Sequence, residues 1–155
     1  MKNSIKLKGR VKVRIIDRDG SVIDETPWIK NTITNASLAE VSGLVGNVGS
    51  KTAFRYMAVG TDNTTPAASQ TELVSEITDS GLARAAVTPT QETDAQTDDT
   101  LELDHTWTAT GSKTVEEVGV FNASSDGTML CRALTGSKSL TSGQGLNVVY
   151  QITFS

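Results

Sequence analysis

From Ile5 onward the chain alternates. Ile5, Leu7, Gly9, Val11, Val13 and Ile15 hold odd positions, and Lys6, Lys8, Arg10, Lys12 and Arg14 hold even ones. A period of two describes a strand with one apolar and one cationic face. Asp17-Arg18-Asp19-Gly20 supplies a turn in which Gly20 is free to take positive φ, and Ser21 to Glu25 returns as the partner strand. Pro27, which has no N–H to give, ends that pairing before Trp28. Residues 1–30 therefore predict a basic β-hairpin, either part of the main sheet or an arm projecting from it.

Alternation returns further along. Phe54, Tyr56 and Ala58 mark a strand that stops at Gly60. Residues 83–92 and 100–110 read as two strands around an acidic, threonine-rich turn, with Leu101, Leu103, His105, Trp107 and Ala109 on one face of the second. Val115, Val118 and Val120-Phe121 form another strand, and Asn122 to Gly127 turns it into Met129–Leu134. Leu146, Val148, Tyr150, Ile152 and Phe154 close the chain with the cleanest alternation of all.

Two short helices interrupt the strands. Ser37-Leu38-Ala39-Glu40 has the capping-box spacing, Leu38, Val41 and Val45 follow at helical intervals, and Gly46-Asn47 is a stop signal. Leu73, Val74 and Ile77, flanked by Glu72 and Glu76, predict the second helix. Strands at short spacing with turns between them specify a mainly β fold, a β-sandwich or jelly-roll-like domain over residues 31–155, with the hairpin or arm of residues 1–30 added to it.

Composition sharpens this picture. The 155 residues are 37% hydrophobic and 5% aromatic, a lean core for one domain, and one that oligomerisation would help. The longest apolar run falls far short of the ~20 residues that span a bilayer, so no membrane role and synthesis in the cytoplasm are expected. Charge is divided unevenly. Residues 1–18 hold seven cations against Asp17 alone, a net of +6, whereas residues 72–104 hold nine acids against Arg84 alone, a net of −8. Opposed blocks of this kind are solvated faces or docking surfaces for the opposite sign. The cationic row Lys6, Lys8, Arg10, Lys12 and Arg14 is the candidate partner-contact surface. Its target would be an acidic surface on a partner or the acidic 92–104 segment of another copy. Nucleic acid is disfavoured by a pI near 4.9 and by the lack of aromatics interleaved with the cations.

Candidate chemistry is sparse. The sole histidine, His105, alternates in register with Leu103 and Trp107 and is expected to point into the core or an interface. The sole cysteine, Cys131, sits in a strand-like run and reads as a small buried hydrophobe. Asp94, Asp98 and Asp99 lack the glycine and terminal glutamate of a calcium loop. The glycine pairs at 43/46 and 143/145 lack a phosphate-binding lysine and read as turns. No catalytic residue, cofactor site or metal site is expected, and the chain reads as non-enzymatic.

Three segments in order carry a resemblance. They are Asn31-Thr32-Ile33-Thr34-Asn35-Ala36-Ser37-Leu38-Ala39-Glu40-Val41; Tyr56-Met57-Ala58-Val59-Gly60-Thr61 with Thr65-Pro66-Ala67-Ala68 and Thr71-Glu72-Leu73; and Val115-Glu116-Glu117-Val118-Gly119-Val120-Phe121-Asn122-Ala123 with Gly127-Thr128-Met129-Leu130-Cys131-Arg132. Over roughly residues 31–155 the chain resembles a family of tailed-phage virion proteins described as structural, decoration (cement) or tail-fibre-associated. In these positions Gly60 and Gly119 would free the backbone at a turn and within a strand. Arg132 would need a carboxylate from Glu116 or Glu117 on the adjacent strand. The resemblance implies a virion structural protein without choosing between head and tail. The first reading is a capsid decoration protein on the virion's capsid surface, a homotrimer by analogy, with the major capsid protein or other virion proteins as partners. A tail, baseplate or fibre-base component is the alternative. A host-glycan-binding module, resting on Trp28, is a third.

Overall fold

The computed structural model describes residues 4–155, so Lys2 of the basic segment lies outside it. Among the described residues the order is β1 (Leu7–Ile16), β2 (Val22–Glu25), β3 (Ile29–Lys30), β4 (Thr32–Ile33), α1 (Asn35–Gly46), β5 (Tyr56–Gly60), β6 (Ala85–Ala86), β7 (Thr90–Glu92), β8 (Thr100–Thr108), β9 (Lys113–Phe121), β10 (Met129–Leu140) and β11 (Gly145–Phe154). Two antiparallel sheets result. One runs β2-β1-β11-β8-β7 with β3 also paired to β1, and the other runs β4-β10-β9-β5-β6. They stack as a sandwich. Val11, Val13, Leu103, Trp107, Val148 and Tyr150 from the first sheet meet Met57, Val59, Val118, Val120 and Leu130 from the second.

The N-terminal hairpin forms, but as part of the sheet rather than as a projecting arm. β1 pairs with β11 along its whole length, from Leu7↔Phe154 to Ile16↔Gly145. The cause is in the alternation itself: the odd positions of β1 need the same core as the even positions of β11, and antiparallel pairing gives it to both.

The chain changes sheets four times, twice through the loops β8–β9 and β10–β11 and twice at tight corners between very short strands. Asn31 separates β3 in one sheet from β4 in the other, and Val87–Pro89 separates β6 from β7 in the opposite sense. The single strand expected over residues 83–92 is therefore two short ones, broken where Pro89 cannot donate to a ladder. Strands that switch sheets make the corners of a sandwich.

Among the described residues there is one helix, not two. Thr34, not Ser37, is the N-cap of α1, and its side chain accepts from the Ser37 N–H. Asn47 closes the helix in the left-handed region at φ 51°. Residues 61–82 form an irregular strap containing no helix. Leu73 and Ile77 are buried as their spacing implied, but helical hydrogen bonds are pre-empted. The N–H groups of Val74 and Ser75 go to the Glu117 carboxylate, and that of Ile77 goes to the Val59 carbonyl.

Candidate assembly surface

The strap covers the outer face of the five-stranded sheet. Ala58, Phe121 and Met129 point outward there and pack with Leu73 of the strap in a second, smaller core. Beneath it lies an ion pair shut off from water: Arg132 Nε donates to Glu117 Oε2 at 2.6 Å, with side-chain exposures of 1% and 0%. Glu117 also accepts from the N–H groups of Val74 and Ser75. Arg132 Nη1 donates to the Thr64 carbonyl at 2.7 Å and to Gln70 at 3.3 Å, and Asp62 lies 3.8 Å from Nη2. The expected carboxylate partner of Arg132 is therefore Glu117, reinforced by strap atoms that no sequence pattern indicated. Buried charges are tolerated only when paired and hydrogen-bonded in this way. Arg84 clasps the strap further along, bonding Glu76 through Nε and Nη2 while lying 3.7 Å over the Phe121 ring.

Gly60 and Gly119 are needed for close approach rather than for backbone freedom. A Cβ on Gly60 would overlap the Glu117 carboxylate and sit 2.5 Å from the Ser75 carbonyl oxygen, and one on Gly119 would come within 3.0 Å of Leu73 Cδ2.

The outer face of the six-stranded sheet has no strap over it, although Asn147, Val149 and Thr153 along its middle are buried among their neighbours, and the five predicted contact residues divide there. Lys6 and Lys8 are exposed. Arg10, Lys12 and Arg14 meet partners within the chain: Arg10 lies 3.6 Å from Asp94, Lys12 lies 3.7 Å from Glu25, and Arg14 also pairs with Glu25. Arg10 and Lys12 flank the exposed Trp28 ring at 4.6 and 5.1 Å from its centroid. Two amides extend these contacts across three strands. Arg10 donates to Gln151 at 2.8 Å, and Gln151 donates to Glu102 at 2.6 Å. Arg14 donates to Asn147 at 3.1 Å, and Asn147 donates to Asp104 at 2.7 Å. The face thus runs from cations on β1, through uncharged β11, to carboxylates on β8.

A third surface lies at one end of the sandwich. An apolar groove of about 290 Å³ is lined by Leu7, Val41, Leu44, Val45, Leu101 and Phe154, among others. Leu44, Val45 and Phe154 are exposed along it, as are Leu38 and Val48 elsewhere on and after the helix. Contiguous exposed apolar side chains mark interaction surfaces.

The residues weighed for chemistry are placed apart. His105 packs edge-on against Trp107 with ring centroids 4.5 Å apart, and partial burial lowers its pKa against the opposing pull of Asp104. Cys131 is wholly buried, which pushes its thiol up to about 12 and leaves it without thiolate character at neutral pH. Asp99 accepts from the N–H groups of Asp94, Ala95 and Gln96, and these bonds hold its carboxyl well below the usual range. That carboxylate is committed to closing the β7–β8 turn. Among the described residues no group of three or more His, Cys, Asp or Glu side chains is arranged to hold a metal ion.

Residues 29–153 match a family model described as Podophage GP4 fiber I protein gp80. No curated protein and no solved structure matches the chain.

Proposed function

The chain belongs to the Podophage GP4 fiber I protein gp80 family, a family of tailed-phage virion structural proteins, and on that premise we propose that it is a non-enzymatic building component of the phage tail fibre. The observation that carries this reading is the match across 29–153, which takes in every strand of both sheets except β1 and β2. The arrangement of the surface supports it. The sandwich has one sheet face closed by its own strap, while the other face and the apolar end are left for neighbours. Large exposed apolar side chains beside a groove suit a component that is buried in an assembly.

A cement protein on the head, trimeric and bound to the major capsid protein, is the other placement that the sandwich would serve. The fibre placement is preferred because the matched family is described as a fibre protein. Quantifying the protein in purified particles by mass spectrometry, with gold-labelled antibody in electron microscopy, separates the two. We expect low copy number and label on the tail or its fibres. Copies in the hundreds, with label over the head, would overturn the fibre reading and restore capsid decoration.

A further inference from the structure

We propose that the open face of the six-stranded sheet pairs with the same face of a second copy, about a two-fold axis parallel to β11. The register of the strands carries this inference. β11 is flanked by β1 on one side and β8 on the other. Across it, Arg10, Gln151 and Glu102 occupy one row, and Lys12, Val149 and Asp104 occupy the next. Arg10 and Lys12 therefore each have an acid at the same height and the same distance from β11, on the opposite side, while Lys8 and Arg14 have Thr100 and Thr106 there.

Laying two such faces together about that axis exchanges the β1 and β8 columns and keeps every row. Arg10 of one copy then stands over Glu102 of the other, and Lys12 stands over Asp104. The outer columns agree as well. Lys30 on β3 lies in the Arg10 row, and Glu92 on β7 lies in the Lys8 row, so the second copy's Glu92 falls between Lys8 and Lys30. Along the axis each β11 meets its own copy, where like would face like. There the face carries Asn147, Val149, Gln151 and Thr153, none of them charged. Asn147, Val149 and Thr153 are already buried within their own chain, so the contact is made by the longer β1 and β8 side chains on either side. Isologous contacts require this self-complementarity, residue i on j and j on i. Stacked sheets keep their strands within about 30° of one another, which preserves the rows near the centre.

Both signs on one face also choose the occupant. A uniformly acidic partner, nucleic acid included, would suit β1 but be repelled by Glu92, Glu102 and Asp104. Among the described residues Lys8, Lys30, Glu92, Glu102 and Asp104 have no ion-pair partner within 4 Å in their own chain. These are the charges that the second copy would answer. The inference does not depend on the fibre placement.

Sedimentation velocity on the full chain tests it. A dimer is expected at about 0.1 M NaCl, weakened about tenfold or more at about 1 M, as the Debye length shortens from about 10 to about 3 Å. Lys12→Glu sets acid against Asp104 at both ends of the two-fold, and Asp104→Lys sets Lys12 against lysine at both. Each variant alone should remain monomeric with a circular dichroism spectrum like that of the parent. Mixed in equal amounts they should form a heterodimer, because each contact then joins opposite signs. A parent that stays monomeric at low salt would overturn the proposal. So would variants that still dimerise alone, or a mixture that fails to associate.

Discussion

The two outer sheet faces both carry charged side chains and treat them in opposite ways. On the five-stranded sheet, Glu117 and Arg132 are sealed under residues 61–82, and every hydrogen bond of their side chains fastens the strap or joins the pair. On the six-stranded sheet, Arg10, Arg14, Glu102 and Asp104 stay in reach of water, joined through the amides of Gln151 and Asn147. Water sets the difference. A charge in contact with solvent loses little when a partner is removed, whereas a buried one is left without compensation. The roofed face is therefore a structural commitment, and the open face is a surface free to be occupied.

The largest test of that contrast is Arg132→Met. It leaves the Glu117 carboxylate buried with only two backbone N–H donors, and should cost about 3–5 kcal/mol in urea denaturation. Hydrogen exchange should show the amides of Val74 and Ser75 losing protection first. A loss below ~1 kcal/mol, with the strap still protected, would mean that the pair is not what holds it.

Gly60→Ala probes the same face by steric means. The added methyl overlaps the Glu117 carboxylate and the Ser75 carbonyl, so the strap must shift, at a cost of about 1–3 kcal/mol. The equilibrium melt should fall accordingly, and limited proteolysis should cut within residues 61–72 before it cuts any strand. An unchanged melt would show that the strap rides loosely over β5.

The smallest effect is expected on the open face. Gln151→Ala removes the link between Arg10 and Glu102 but leaves both ends to water, so stability should change by about 1 kcal/mol or less. A loss as large as that of Arg132→Met would erase the distinction between the two faces.

Much of the sandwich could be read from period-two alternation. β1, β8, β9 and β11 lie close to where their apolar positions put them, because each must feed one core from one side. The two-residue strands β3, β4 and β6 leave no period to detect, so the corners at Asn31 and Pro89 were hidden. The strap misled for a physical reason: Leu73 and Ile77 are four apart and both buried, which is the signature of a helical turn, yet a carboxylate 42 residues away takes the backbone N–H of Ser75. The open face was half legible. Its charge blocks stand out in sequence, but Arg10 and Gln151 are 141 positions apart. Only pairing β1 with β11 shows that the basic and acidic segments flank one neutral strand.

The pairing of β1 with β11 also bears on mechanical load. Lys6 and Ser155 exchange backbone hydrogen bonds of 2.6 and 2.9 Å beside the Leu7↔Phe154 pair. Tension applied through these two residues would pull in the direction that opens an antiparallel pair from its end, so its bonds would break in succession rather than share the force. A push or a shear delivered through the broad faces instead meets both sheets and the packed layer between them at once. Stress in a particle is therefore better carried across this domain, face to face, than along its chain.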